Sequence, residues 1–457
     1  MKQLLQGIVI IILLVVGFFT VVYVQKQLLV RGRASVPELE ENRIDITQAP
    51  YAASPDGSTD NYAIVQRALT DIATKGGGTI YFPPGTYRIS VPAGKNALSI
   101  MSRTMLLGSP GKKSTIKFDI SSTTLHTPLK FSGQTSLELK DIVIEGTKNN
   151  IAWNSPAYWA LVKIENSKNV KIINTKISNA QRIGLEILSS ENISISSSEF
   201  FANGWEEEYP KGQPQQMIGG LNISLSTNGV RNKNITIENS TFTQNGGFGA
   251  WVGYADNISI TGNTFYKNGL YPAHGNQDGV GLFGIQQGII RKNQSTDNYA
   301  DGIVIATKEN DTKNVSVTSD VKIDQNTSAR NGGNGIILYS TKQSSAEIKN
   351  STISNNTVYD NGFGNTVGYP NSFDGIRLSP WGTSGVIHDI TISRNTSYDT
   401  RTDKKRTQQA GIGQLPKERD PDGGLGANIT LSENRCYNNA YADILLWERQ
   451  SEQRTTQ

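Results

Sequence analysis

The feature that most constrains this chain is an internal repeat. An amide or acid followed by an apolar–polar–apolar triplet recurs as Asn169-Val-Lys-Ile172, Asn192-Ile-Ser-Ile195, Asn234-Ile-Thr-Ile237 and Asn257-Ile-Ser-Ile260, then as Asp320-Val-Lys-Ile323, Asp389-Ile-Thr-Ile392 and Asn428-Ile-Thr-Leu431. Two apolar residues separated by one polar residue make a short strand with one buried face. Heptad and amphipathic-helix periods do not fit, so the repeat predicts a solenoid of stacked strands.

Other positions recur in register. One column reads Thr175, Ser198, Ser240, Asn263, Asn293, Asn326, Asn356, Asn395 and Asn434, and a second reads Asn203, Asn245, Asn268, Asn298, Asn331, Asn361 and Asn439. A stacked amide donates to one neighbour and accepts from the other, which suits a ladder inside a coil. Between the columns lies an inward position held by Ile177, Phe200, Phe242, Phe265, Ser295, Ser328, Val358, Ser397 and Cys436. A third strand is led by glycine: Gly184, Gly220, Gly249, Gly279, Gly302, Gly335 and Gly375. The tightest repeat, Gly279 to Gly302, spans about 23 residues, room for three short strands and three turns. The fold class expected is all-β, a right-handed single-stranded parallel β-helix.

Composition agrees: 36% hydrophobic and 18% charged residues with 45 glycines, polar without being strongly charged. The net charge of +4 carries no basic stripe, which argues against nucleic acid as a partner. The single cysteine, Cys436, excludes an intrachain disulfide framework. The apolar run Gly7–Val24 is long enough to cross a bilayer, so residues 1–26 are expected to form a transmembrane anchor or signal. Residues 27–49 read as a linker, 50–448 as the β-helix and 449–457 as a tail. The location expected is membrane-anchored with an extracytoplasmic domain, or secreted. The Asn-x-Ser/Thr triplets at Asn192, Asn234, Asn257, Asn395 and Asn428 fall on ladder and strand positions, which account for them without glycan attachment.

The open end of a β-helix needs a cover. Residues 60–75 read as a capping helix with Asp60 at its start and Ile64, Leu69 and Ile72 on its apolar face. With its flanks, Asp56-Gly-Ser-Thr-Asp60 and Gly76-Gly-Gly-Thr-Ile-Tyr-Phe-Pro-Pro-Gly-Thr-Tyr87, this segment closely resembles the start of the pectate-lyase-like β-helix superfamily of polygalacturonases, rhamnogalacturonases, epimerase-like proteins and phage tailspikes. With the repeats, the resemblance covers about Tyr51–Trp447. It implies a polysaccharide as partner, and it also admits members that only bind glycans or serve as stalks.

Outward positions of the glycine-led strand read Glu186, Asn222, Trp251, Gly281, Val304, Ile337 and Arg377, successive rungs about 4.8 Å apart. Insertions at Trp205–Lys211, Gly269–Gly275, Gly362–Phe373 and Thr400–Gln409 flank this face and would wall a groove for an extended sugar chain. Glu186, Asn222, Trp251, Tyr254 and Trp381 are the candidate substrate-binding residues; the aromatic ones would stack on sugar rings or simply pack beneath loops.

Asp278 and Asp301 precede the glycine on adjacent rungs, so their carboxylates can form an acid/base pair. Asp-Gly is also an ordinary turn dipeptide, which is the competing reading. For a lyase or epimerase, Arg377 would pair with a uronate carboxylate, His274 or Lys308 would act as base, and Tyr254 would donate a proton. His126 and His388 are weaker candidates. The tandem aspartates, Gly-His-Gly and Arg-Ile-Lys of polygalacturonases are missing, as are the Asp-Pro-His-Glu of alginate epimerases and the Trp-x-Asp-His of pectate lyases. No cofactor is expected, with Ca²⁺ at Glu206–Glu208 as the metal alternative and a short acidic turn at Asp420–Asp422 as a weaker one. The function expected is cleavage or modification of a polysaccharide by a lyase, hydrolase or epimerase; the alternative is a non-catalytic glycan-binding or structural surface protein.

Overall fold

The computed structural model describes residues 42–90, 98–119, 127–147, 160–204, 217–271, 277–307, 317–340, 347–363, 373–380, 386–402, 405–414 and 425–446. Three parallel ladders wind around one core. The glycine-led ladder runs from Leu98–Ser99 to Ala442–Leu445 and the Asn-Ile-x-Ile ladder from Arg43–Asp45 to Ile429–Ser432. The third ladder, from Asp56–Asp60 to Arg435–Tyr437, stacks 13 strands. The first two join where Phe248–Thr261 and Val280–Arg291 turn the corner as single strands, with Tyr254 (φ 49°) and Gly284 (φ 59°) in the left-handed conformation at the bend.

Column positions became interior contacts. Phe200, Phe242 and Phe265 stack with ring centroids 4.7 and 4.9 Å apart. Such pairs add roughly 0.5–1.5 kcal/mol each beyond burial. In the first amide column each backbone N–H donates to the next rung's side-chain oxygen, from Asn263 through Asn293, Asn326, Asn356 and Asn395 to Asn434, at 2.9–3.1 Å. The second column does the same from Asn203 to Asn361, then passes through Gln408, whose Nε2 donates to Asn439 Oδ1 at 2.8 Å. The spacing in sequence hid Gln408, because the insertion before it displaces the column residue.

The capping helix, α1, spans Tyr62–Thr74 and buries Val65, Ala68, Leu69 and Ile72 against the core, with Ile64 partly buried beside them. Asp60 Oδ1 accepts the Tyr62 N–H at 3.0 Å, while Asn61 is the capping residue by position. Arg43–Asp45, within the stretch read as a linker, is a strand paired in parallel with Gly78–Tyr81. Among the described residues no helix is long and apolar enough to cross a membrane. The expected anchor, residues 1–26, lies outside the described residues.

Candidate active site

The outward row of the glycine-led ladder is in the expected register: Lys163, Glu186, Asn222, Trp251, Gly281, Val304, Ile337 and Arg377 pair rung by rung. Its early rungs are polar. Glu186 is buried, with Lys163 Nζ at 3.6 Å and Asn222 Nδ2 at 3.4 Å, and burial pushes its pKa up. Its middle rungs are aromatic and apolar. The Trp251 indole lies across the next rung, where a Cβ on Gly281 would come within 2.0 Å of the ring. Phe283 folds back over Gly253, where a Cβ would lie 2.0 Å from Cζ, and the Trp251 and Phe283 rings sit 5.5 Å apart. Tyr254, Phe283, Val304, Ala306 and Ile337 form a second apolar cluster outside the core. Of the insertions expected to flank this face, residues 205–211, 272–275, 364–372 and 403–404 lie outside the described residues.

Beside this row runs a column of four side chains, Asp278, Asp301, Asn334 and Asp374. Each accepts the backbone N–H of the following rung: Asp301 N to Asp278 Oδ1 at 3.0 Å, Asn334 N to Asp301 Oδ1 at 2.5 Å, Asp374 N to Asn334 Oδ1 at 2.9 Å and Ala410 N to Asp374 Oδ1 at 3.0 Å. Asn334 Nδ2 also donates to Asp301 Oδ1 at 2.9 Å. Arg377 Nη1 sits 3.3 Å from Asp374 Oδ2, both side chains being buried. Burial and then the neighbouring Asp301 charge push the Asp278 carboxyl well above the usual carboxylate range. Burial raises Asp301 too, against the pull of the two Asn334 hydrogen bonds and the Arg377 charge. Asp374 is pushed up to about 6 by burial, with Arg377 pulling it down. Two carboxylates on adjacent rungs, both raised by burial but with two hydrogen bonds and a cation opposing the rise at Asp301, are the ingredients of acid/base chemistry.

A model for rhamnogalacturonase A/epimerase, pectate lyase-like proteins matches residues 49–304, and one for the right-handed β-helix region matches residues 217–396. The chain belongs to the rhamnogalacturonase A/epimerase, pectate lyase-like family. Among curated relatives it is 28% identical over 115 residues to mannuronan C5-epimerase AlgE3 of Azotobacter vinelandii, covering 24% of this chain. It is 56% identical over 36 residues, 8% of this chain, to the SPbeta prophage-derived uncharacterized protein YomE of Bacillus subtilis. Each match spans 6% of the relative's length. Three solved structures share the fold. The A-module of A. vinelandii mannuronan C-5 epimerase AlgE4 has 16% identity and a TM-score of 0.59 over 86% of this chain and 97% of that one. The Streptococcus pneumoniae surface adhesin PfbA has 20% identity and 0.63 over 88% and 100%. A Thermotoga maritima exopolygalacturonase has 12% identity and 0.58 over 87% and 93%.

Within this family fold, Asp278, Asp301 and Arg377 stand on one face, and Glu186, Asn222 and Trp251 on the rungs before them. Arg377 departs from the expectation: it is only 4% exposed and ion-paired with Asp374, so it is not open to a substrate carboxylate. Tyr254 departs too. It is 2% exposed and packs edge-on against Phe283 at 5.1 Å, so no sugar ring reaches its face. His274, Lys308, Trp381 and His126 lie outside the described residues, as do Glu206–Glu208 and Asp420–Asp422. His388 stands on the Asn-Ile-x-Ile ladder, bonded through Nδ1 to Asp389 at 2.6 Å. The position before the leading glycine puts Asn334 and Asp374 in line with Asp278 and Asp301 in the sequence, though it gives Asp374 no role; Phe283 was missed. Among the described residues no group of three or more His, Cys, Asp or Glu side chains is placed to hold a metal ion. A hollow of about 540 Å³ lies at the corner of the other two ladders, lined by Lys112, Lys113, Lys176, Asp141 and Glu199 among others, and contains none of the Asp column.

Proposed function

We propose that the chain hydrolyses glycosidic bonds of a polysaccharide laid along the glycine-led ladder, with Asp278 and Asp301 as its acid/base pair and Trp251 as a stacking platform. The observation that carries this reading is the placement of two carboxylates on adjacent rungs of one face, next to a half-buried indole. Hydrolysis needs one group to protonate the leaving oxygen and one to activate water. A lyase or epimerase also needs a cation to neutralise the uronate carboxylate, and among the described residues of this row Arg377 is engaged by Asp374 and Lys163 by Glu165 and Glu186. That favours hydrolysis. Glu186 and Asn222 are themselves buried, so the sugar contact in this reading falls to the half-buried Trp251. An extracytoplasmic location, with Gly7–Val24 as anchor or signal, belongs to the same reading.

A second reading, glycan binding without catalysis, is favoured by the fact that every member of the Asp column also caps a neighbouring backbone N–H. The full chain incubated with neutral and uronic-acid polysaccharides separates the two. New reducing ends that vanish in Asp278→Asn and Asp301→Asn support hydrolysis. Unsaturated products, seen by their ultraviolet absorbance, indicate a lyase; retention of a polysaccharide without any product indicates a binding protein.

A further inference from the structure

Hydrolysis by a carboxylate pair requires that its members start in different protonation states, and the two sites differ in ways that decide which is which. Asp278 is buried and, among the described residues, accepts a single hydrogen bond, from the Asp301 N–H at 3.0 Å. Asp301 is less deeply buried and receives two donors on Oδ1, the Asn334 N–H at 2.5 Å and Asn334 Nδ2 at 2.9 Å. Hydrogen-bond donors and positive charge favour an ionised carboxylate, while burial alone favours the acid. The charged groups acting on Asp301 among the described residues are Asp278 on the rung before it and Arg377 two rungs on. Of these only Arg377 is positive. It is held in place by Asp374 at 3.3 Å, and Asp374 is in turn fixed by the Ala410 N–H at 3.0 Å.

We propose that Asn334 and Arg377 are positioning residues that divide the labour of the pair, keeping Asp301 as the base and leaving Asp278 as the acid. This rests on the hydrolytic reading above. In the step, Asp278 gives its proton to the glycosidic oxygen and the bond from that oxygen to the anomeric carbon breaks. The oxygen of one water bonds to that carbon, and the water's proton passes to Asp301. One water is consumed, and each carboxyl regains its starting state by exchanging a proton with solvent.

The test is a pH–rate profile of the full-length protein on whichever polysaccharide it cleaves. Its acidic limb reports ionisation of the base and its basic limb deprotonation of the acid. Asn334→Ala removes the Nδ2 donor, so the acidic limb is expected to move up by roughly one pH unit while the basic limb stays within a few tenths. Arg377→Met combined with Asp374→Asn removes the cation without stranding a buried carboxylate and moves the same limb in the same direction. Arg377→Lys, which keeps the charge, leaves that limb near its wild-type position. If Asp278→Asn and Asp301→Asn abolish cleavage but the Asn334→Ala limbs do not move, the division of labour is wrong and the hydrolytic reading survives. Movement of the basic limb instead reverses the two roles. If both Asp→Asn variants cleave at the wild-type rate, the underlying reading fails and this proposal with it.

Discussion

Two columns of this molecule solve the same backbone problem with different chemistry. At the buried corner, Asn263 to Asn434 each take the preceding rung's N–H on Oδ1, while Nδ2 donates to a carbonyl, as Asn326 does to Ile290 O at 2.9 Å, and to the next amide, at 3.0 Å to Asn356. Beside the glycine-led strand, Asp278 to Asp374 take the following rung's N–H instead, in the opposite sense along the stack. The corner column needs a donor as well as an acceptor, which an amide supplies, as the hydroxyls of Ser198 and Ser240 do at its start, and an ionised carboxylate does not. The Asp column needs only an acceptor, and Asn334 within it shows that an amide meets that need. Carboxylates at Asp278 and Asp301 therefore exceed what the backbone requires. Buried ionisable groups cost stability unless something else keeps them, and function is the physical candidate.

Exchanging the chemistry of the two columns breaks or sharpens this contrast. The largest effect expected is on rate: Asp278→Asn and Asp301→Asn each lower kcat by about 10²–10⁴-fold, measured as reducing ends released. Neither variant's Tm falls below wild type at neutral pH, because the acceptor is kept and a buried carboxyl is removed. Early unfolding of both variants would instead make them turn residues. The reverse exchange, Asn326→Asp, strikes stability. It sets a carboxylate oxygen against Ile290 O and Asn356 Oδ1, removing the side-chain donor to each and leaving Asn356 Oδ1 with the Asn326 N–H alone. A loss of about 3 kcal/mol is expected at neutral pH, read from denaturant unfolding. Acid lessens it, because the introduced carboxyl, once protonated, donates a single hydrogen bond.

Much of this contrast was legible in the chain. Period-two alternation with a leading glycine predicted the outward row from Glu186 to Arg377, and the register holds at every rung. The Phe column and both amide columns were readable because solenoid stacking turns a sequence interval into a contact. What stayed hidden depends on directions of side chains rather than on positions. Arg377 lies three residues after Asp374, and nothing in that spacing says the two close on each other and bury. Phe283 turns back over Gly253 because the preceding rung has no side chain there, a cross-rung relation with no local signal.

A smaller effect concerns pH and stability. The folded-state pKa of Asp278 is raised above its unfolded value, so the folded protein holds the proton more tightly. Its contribution is fully present below the unfolded carboxylate pKa of about 4 and is lost as pH rises toward the folded value. The wild-type Tm is expected to fall across that window. Asp278→Asn removes this residue's share, on the order of 1 kcal/mol or more, leaving the shallower slope from Asp301 and Asp374. An identical slope in both proteins would mean that Asp278 is not held protonated by the fold.

The smallest change is one methyl group. Gly281→Ala sets a Cβ 2.0 Å from the Trp251 ring, closer than any real contact, so the indole must leave its seat across the rung. Nothing in the Asp column is altered, because Gly281 lies on the outward row and Asp278 stands three residues earlier, before the bend at Gly279. If Trp251 is the platform on which a sugar ring stacks, KM rises several-fold, equivalent to about 1 kcal/mol, while kcat holds. A fall in kcat at unchanged KM would place the indole against the reacting groups rather than beneath a bound sugar. An unchanged KM together with a shifted tryptophan fluorescence would show that the ring moved and that the substrate never touched it. The aromatic rungs would then be packing alone, and the face that binds the chain would have to be sought elsewhere on the ladder.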